Sequence, residues 1–193
     1  MRMYVNDFDN NGTIEQIICQ REETKYYPII DKEELISQLP SLKKKIVYFK
    51  NYAQADMTYL FDPGQLNNSK VFDLNTLSSQ YFQATSSGFK AIPLPDEIQY
   101  APVYSSYAHP TANGYKIYFG GNQYLVKPQF GRYDASKGWA MPLSFKAGTP
   151  MFGVLKSLDI NGQIRQLKAL KTKENKLLLI ARNNETLEDY ELE

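Results

Sequence analysis

The stretch Asp7-Phe8-Asp9-Asn10-Asn11-Gly12-Thr13-Ile14-Glu15 decides how this chain is read. Oxygen-bearing side chains stand at its first, third, fifth and ninth places, and glycine stands at the sixth. A hard divalent cation takes about six to eight oxygens at short range. A loop that turns sharply aims alternate side chains at one point, and glycine supplies the backbone angles for such a turn. Asp7, Asp9, Asn11 and Glu15 can offer side-chain oxygens and Thr13 its backbone carbonyl, a ligand set suited to one calcium ion. The glutamate falls at the ninth place rather than the twelfth, which excludes a helix–loop–helix calcium hand. Ile14, Ile17 and Ile18 follow with β-branched character, predicting a strand after the loop to match the one before it. The same residues also fit an ion-free turn closed by side-chain-to-backbone hydrogen bonds. Crowding of Asp7, Asp9 and Glu15, which repel one another without a cation, favours the ion.

Outward from the loop, strands are interrupted by one helical stretch. Residues 1–30 read as strand, turn, strand and a polar link ending in Tyr26-Tyr27-Pro28. Between residues 31 and 68 the apolar period lengthens. Asp31 with Glu34 matches a capping pattern for a helix through Leu35, Ile36 and Leu39. Pro40 ends it, and Ser41 is placed to cap a second short helix through Leu42, Ile46 and Phe49. A third helix is predicted from Ala53 to Phe61, stopped by Asp62-Pro63-Gly64. Strands then return over Val71–Leu77, Tyr81–Thr85, Phe89–Pro95, Val103–Tyr107, Tyr115–Phe119 and Met141–Phe145. They continue over Phe152–Ser157, Ile164–Leu170, Leu177–Arg182 and Leu187–Leu192. The expected class is mainly β and antiparallel, with a small helical insertion at residues 31–68.

Composition agrees and excludes several functions. The 193 residues carry 22 Lys and Arg against 21 Asp and Glu, a formal net of +1, so no excess of cations points to nucleic acid. A hydrophobic share of 42% rules out disorder by composition, and no apolar run approaches the ~18 residues of a membrane span. The single Cys19 excludes an internal disulfide and a cysteine zinc cage, and the single His109 excludes a His-rich metal site. His109, before Pro110 and without an accompanying serine or cysteine motif, reads as structural or solvent-exposed. Cys19 reads as a small packed residue. The tract Lys43-Lys44-Lys45, with Glu33 and Glu34 near it in sequence, reads as a solvated helix face rather than a site for nucleic acid or anionic lipid. The 15 Tyr and 10 Phe suit strands. Met1-Arg2-Met3-Tyr4 runs straight into polar Asn6, Asp7 and Asp9 without an export signal. Either a cytosolic protein or a fragment lacking its leader is expected, and the abrupt start in a strand favours the fragment.

Two further patterns extend the reading. Ser106-Tyr107-Ala108-His109-Pro110-Thr111-Ala112-Asn113-Gly114 resembles the segment Tyr4 to Gly12, and Ser157-Leu158-Asp159-Ile160-Asn161-Gly162 is a fainter copy. This predicts an internal repeat, although Asn-Gly also marks simple hairpins. His109, Thr111, Tyr115 and Ile117 replace Asp7, Asp9, Thr13 and Glu15 in the second copy, and Arg165 closes the third, so the copies are expected to lack metal. Gly120-Gly121-Asn122-Gln123-Tyr124 lacks the Lys-Ser or Lys-Thr of a phosphate loop. Together with Gly131-Arg132-Tyr133-Asp134 it offers a second candidate surface. Tyr124, Tyr133 and Trp139 can present flat faces to a sugar or peptide, and Arg132 and Asp134 can add hydrogen bonds. The competing reading puts the aromatics in the core, with Arg132 and Asp134 bracing the loop.

The pattern Asp-x-Asp-x-Asn-Gly-x-x-Glu resembles the calcium loop of FG-GAP/VCBS repeats, the integrin-alpha-like blades of β-propellers. The resemblance continues in Asp31-Lys32-Glu33-Glu34-Leu35, Gln38-Leu39-Pro40, Leu42-Lys43-Lys44-Lys45, Tyr52-Ala53, Leu94-Pro95, the stretch from Gln99 to Val103, and the two Gly-containing motifs near Tyr124 and Tyr133. It is closest to the C-terminal portion of exported bacterial members related to the ASPIC/UnbV-containing group. It implies one propeller-like domain over residues 1–193, made of antiparallel four-stranded blades, non-catalytic and calcium-stabilised. It also implies a periplasmic, outer-membrane-associated or extracellular location and a protein or glycan partner. The chain supplies roughly two and a half to three blades, fewer than the four or more of a closed ring, which implies missing blades or self-association. The alternative is a polysaccharide-acting enzyme, or an accessory domain of one, built on an Asp/Glu pair. The dense acidic cluster is spaced for a cation instead.

Overall fold

In the computed structural model, which describes residues 1–173 and 176–192, strand accounts for 45% and helix for 17%. The class is therefore mainly β, and the sheets are antiparallel. Contacts divide the chain into two units, Met1–Leu77 and Ser78–Glu193.

In the first unit β1 (Arg2–Asn6), β2 (Glu15–Glu22), β3 (Lys25–Pro28) and β4 (Lys70–Asp73) form one sheet in the order β3-β2-β1-β4. Along β2, Glu15, Ile17 and Cys19 are buried while Gln16, Ile18 and Gln20 are exposed, the period-two alternation of a strand covered on one face. The cover is the helical insertion: α1 (Lys32–Gln38), a 3-10 turn (Pro40–Lys44), α2 (Phe49–Ala53), α3 (Met57–Leu60) and α4 (Pro63–Asn68). Tyr4, Phe8, Ile17 and Cys19 pack there against Leu35, Leu39, Leu42, Ile46, Met57, Leu60 and Phe61. Burial pushes the Cys19 thiol up to about 12, so it is an inert packing group, as the sequence suggested. At the sheet edge Arg2 makes a two-pronged bond to Asp73, at 2.7 and 2.8 Å, and lies 4.3 Å from the Tyr26 ring centroid. The guanidinium holds the Asp73 carboxyl below the usual carboxylate range.

Four local expectations are corrected. The polar link is strand β3. The helix expected from Ala53 to Phe61 is broken: α2 ends at Ala53 with Gln54 as its C-cap, and Asp56 caps a separate α3. A helix does end at Leu60 and Phe61, just ahead of Asp62-Pro63-Gly64, but that tripeptide also opens the next helix. Asp62 Oδ1 accepts from the Gln65 N–H at 2.9 Å, the Gln65 side chain accepts from the Asp62 N–H at 2.9 Å, and Pro63 sits in the first turn, where its missing N–H costs nothing. Ser41 is not a cap either; Pro40 itself opens the 3-10 turn.

The second unit starts with the hairpin β5 (Gln80–Thr85) and β6 (Gly88–Pro93), then a short α5 (Asp96–Gln99) that the sequence reading lacked. Next come β7 (Val103–Thr111), β8 (Gly114–Gly121), β9 (Trp139–Lys146) and β10 (Thr149–Phe152), in the order β10-β9-β8-β7. The two-residue β11 (Lys156–Ser157) pairs with β9, so the strand expected over Phe152–Ser157 is split. A meander of β12 (Ile164–Lys171), β13 (Lys176–Arg182) and β14 (Glu188–Glu191) ends the unit. Tyr118, Ile164, Leu167, Leu178 and Ile180 form one core, and Leu94, Ile98, Phe119 and Met141 another.

The sheets hold four, five, three and two strands, with β4 returning beside β1 rather than extending a meander. No closed propeller is found among the described residues. The three Asn-Gly segments also differ in geometry. Residues 7–14 loop out between paired Asn6 and Glu15, whereas Thr111 pairs with Gly114 across the turn Ala112-Asn113. Asn161-Gly162 lies between β11 and β12, outside any hairpin.

Asp56 provides a test of the first unit. Its Oδ1 accepts from the Thr58 hydroxyl at 2.7 Å and the Tyr59 N–H at 2.8 Å, and Lys25 Nζ lies 3.2 Å from Oδ2. Burial pulls this carboxyl upward, but the bonds from Thr58, Tyr59 and Lys25 outweigh it and hold it below its ordinary value. Its contribution is therefore fully present above the unfolded carboxylate value of about 4 and is lost as pH falls through the native value. Asp56→Ala should cost about 1–3 kcal/mol near neutral pH. Urea unfolding at neutral and at strongly acidic pH checks this: the deficit should shrink in acid, and an equal deficit at both refutes the assignment.

Candidate metal site

The acidic loop leaves β1 at Asn6 and re-enters the sheet at Glu15. Asn10 at φ 56° and Gly12 at φ 87° adopt left-handed backbone, which reverses the chain within the loop. The Asp7 carboxylate accepts from the N–H groups of Asn11 at 3.0 Å and Gly12 at 2.8 Å. Glu15, buried at the start of β2, accepts from the Phe8 N–H at 2.9 Å. Ligand atoms of Asp7, Asp9 and Glu15 all lie within 4.8 Å of one another. Asp9 Oδ1 is shielded from solvent and has no hydrogen-bond partner. At that separation each carboxylate pair repels by about 1 kcal/mol in a water-like dielectric and about 3 kcal/mol at an effective dielectric of about 20.

The five sequence-predicted ligands are not equivalent. Asp7, Asp9 and Glu15 converge. Asn11 turns its Oδ1 onto the Thr13 N–H at 2.7 Å, a local Asx bond that occupies one lone pair. Thr13 and Ile14 are exposed and, with Asn11, Glu15, Gln16 and Gln38, line an open depression of about 460 Å3. The carboxylate oxygens that accept backbone N–H bonds each keep another lone pair. The donor set of hard oxygens, with one carboxylate oxygen left unbonded, fits a calcium-sized cation. In the third segment Ser157 Oγ and Asp159 Oδ1 are 2.8 Å apart and the Asp159 N–H donates to Ser157 Oγ at 3.0 Å, a closed local turn. Among the described residues, the loop at Asp7, Asp9 and Glu15 is where three or more acidic, His or Cys groups converge.

The second candidate surface is built on a buried polar knot that the sequence reading missed. Asn122 is 1% exposed; its Nδ2 donates to the carbonyls of Ser136 at 2.7 Å and Gly162 at 2.8 Å, and its Oδ1 accepts from the Ser136 N–H at 3.0 Å. Arg165 donates to the Asn122 carbonyl at 2.8 Å, to Gln123 Oε1 at 3.0 Å and to Gln163 Oε1 at 2.7 Å, and it stacks 4.0 Å over Tyr104. The glycine pair before Asn122 has a packing cause. A Cβ at Gly120 would lie 2.3 Å from Ile164 Cγ2, and one at Gly121 1.7 Å from the Pro102 carbonyl oxygen. Two glycines ahead of an asparagine at a strand end were the available signal.

This knot pairs Gln123 with Tyr133 through two backbone hydrogen bonds, and Arg132 lies 5.1 Å over the Tyr124 ring. Tyr124 is half-buried, while Arg132, Tyr133 and Asp134 are exposed. Trp139 instead packs against the core of Leu94, Ile98, Phe119 and Met141. The competing reading thus holds for Trp139. His109, read as structural or solvent-exposed, is buried inside β7.

Comparison of the chain with protein-family models, with curated proteins and with solved structures finds no significant match to any of them.

Asn122→Ala should destabilise by about 3–5 kcal/mol, since it strands several buried partners. Arg132→Ala and Asp134→Ala should stay within about 0.5 kcal/mol of the parent. Urea midpoints measure both, and a mild Asn122 variant would show that the knot is not structural.

Proposed function

We propose that the protein is a non-catalytic, calcium-stabilised β module that binds a protein or glycan partner or scaffolds a larger exported protein. Its sheets are read as propeller-type blades of the kind FG-GAP/VCBS repeats build. The reading places it in the periplasm, on the outer membrane or outside the cell. The observation that carries it is the convergence of Asp7, Asp9 and Glu15 within 4.8 Å, with Asp9 Oδ1 unbonded. A bound calcium ion would neutralise the three carboxylates and fix the loop. Phe8 and Glu15 supply the rigid side of that site, one buried in the core and the other seated on β2. A partner surface is supported by Tyr124, Arg132, Tyr133 and Asp134, which the Asn122 knot holds near one another on the second unit.

A ligand that binds only the folded state stabilises it by about 2.7 kcal/mol at a hundredfold excess over Kd. Millimolar calcium should therefore raise the Tm of chelator-treated protein by on the order of 5–15 °C, and Asp9→Ala should remove most of the gain. Calorimetric melts with calcium and with chelator measure this, and superimposable melts would sink the metal assignment.

A further inference from the structure

We propose that residues 43–50 form a peripheral docking site for bilayers that carry anionic lipid. The segment reads Lys43-Lys44-Lys45-Ile46-Val47-Tyr48-Phe49-Lys50. Leu42 and Ile46 are buried in the first unit's core and anchor it. Immediately after Ile46, Val47, Tyr48 and Phe49 are 56%, 71% and 62% exposed. Three successive large apolar side chains facing water from a firmly anchored loop are unfavourable unless an apolar phase receives them. Tyr59, 45% exposed, joins the patch, with its hydroxyl donating to the Lys45 carbonyl at 3.3 Å.

The charge around this tip identifies the receiving phase. Lys43, Lys44, Lys45 and Lys50 are all exposed. Lys45 spends part of its capacity on the Leu60 carbonyl at 3.2 Å and the Tyr59 ring at 5.5 Å. Lys32, packed 4.6 Å over the Phe49 ring, is neutralised by Glu33 at 2.9 Å. No acidic residue occurs between Glu34 and Asp56, and Asp56 is paired with Lys25. Among the described residues, Lys43, Lys44 and Lys50 make no ion pair. Exposed apolar and aromatic side chains flanked in sequence by exposed lysines supply the two contacts a bilayer surface takes: apolar groups for the interface and tails, cations for the phosphates. Lysine stems can snorkel to that depth. Four lysines reach the lower bound, about four, of polybasic lipid-binding clusters. The segment runs from the end of the 3-10 turn into the start of α2 and is not a strand edge, and so offers an extended peptide no hydrogen-bonding ladder; this favours a bilayer over an acidic protein. The tract expected to be a solvated helix face thus leads into an apolar tip, and the site is independent of the acidic loop.

The test is flotation of the full chain with vesicles of a three-to-one mixture of phosphatidylcholine and phosphatidylglycerol, against pure phosphatidylcholine. Binding should need the anionic lipid and weaken as salt rises. Replacing Lys43, Lys44 and Lys50 by Gln should weaken it about fivefold per lysine, on the order of 100-fold together. Val47→Ser with Tyr48→Ser should weaken it at least tenfold. In Tyr48→Trp, brominated lipid should quench the new fluorescence, a readout that survives if the double serine variant misfolds. No flotation with anionic vesicles, or flotation insensitive to both variant sets, would overturn the proposal. So would retention on polyglutamate beads without vesicle binding, which would indicate an acidic protein partner.

Discussion

The first unit is held together at Phe8. Its ring is 2% exposed and lies 4.2 Å from that of Phe61, its N–H donates to Glu15 at 2.9 Å, and its carbonyl accepts from Gln65 Nε2 at 2.5 Å. One residue in the middle of the acidic loop therefore ties that loop to β2 and to the helices that cover the sheet. Magnitudes show what this does for the loop. Three carboxylate pairs repel by about 1 kcal/mol each in a water-like setting. Burial of one phenylalanine contributes about 2–3 kcal/mol, and each hydrogen bond about 1 kcal/mol. The apolar anchor and the backbone bonds offset the repulsion only at that water-like limit; at an effective dielectric of about 20, where the three pairs repel by about 3 kcal/mol each, they do not. A cation at this place, as proposed, would remove that repulsion.

The same anchor explains why the helical insertion was readable. Leu35, Leu39, Leu42 and Ile46 recur three or four places apart, and all four are buried against the sheet. β-Branched and aromatic runs located most of the strands. The errors arose where a local signal serves two purposes. Asp-Pro-Gly breaks a helix when its proline falls inside one, yet it opens a helix when aspartate is the cap and proline stands in the first turn, as Gln65 makes it do here. Tyr26-Tyr27-Pro28 looked like a link because β3 is a short edge strand, where proline is tolerated.

Within the candidate sites the sequence identified residue types better than partners. Asp7, Asp9 and Glu15 converge because alternate places of one tight loop face inward. Asn11 does not join them in the same way, because an asparagine oxygen can bond its own backbone two residues on, at 2.7 Å here. The Asn122 knot could not be read locally. Its partners Ser136, Gly162 and Arg165 lie far along the chain, and long-range polar pairing leaves no period in sequence. The three Asn-Gly segments share a glycine at positive φ, 87° at Gly12, 139° at Gly114 and 99° at Gly162, but not its setting: open space surrounds Gly12, whereas a Cβ at Gly114 would sit 2.3 Å from the Leu143 carbonyl oxygen.

A formal net charge of +1 also conceals how charge is arranged. The first unit carries three converging carboxylates in one loop and four exposed lysines within eight consecutive residues of another segment. Totals cancel, but fields in water do not reach far enough to cancel with them. The Debye length is about 8 Å at physiological ionic strength, so what meets a given surface is set by the charges within a turn or two of it. Near neutrality argues against a nucleic-acid groove, which needs a long basic track. It had no force against a small basic rim around an apolar tip, because such a rim needs only a few lysines and the absence of acids among them. Residues 35–55 meet both conditions.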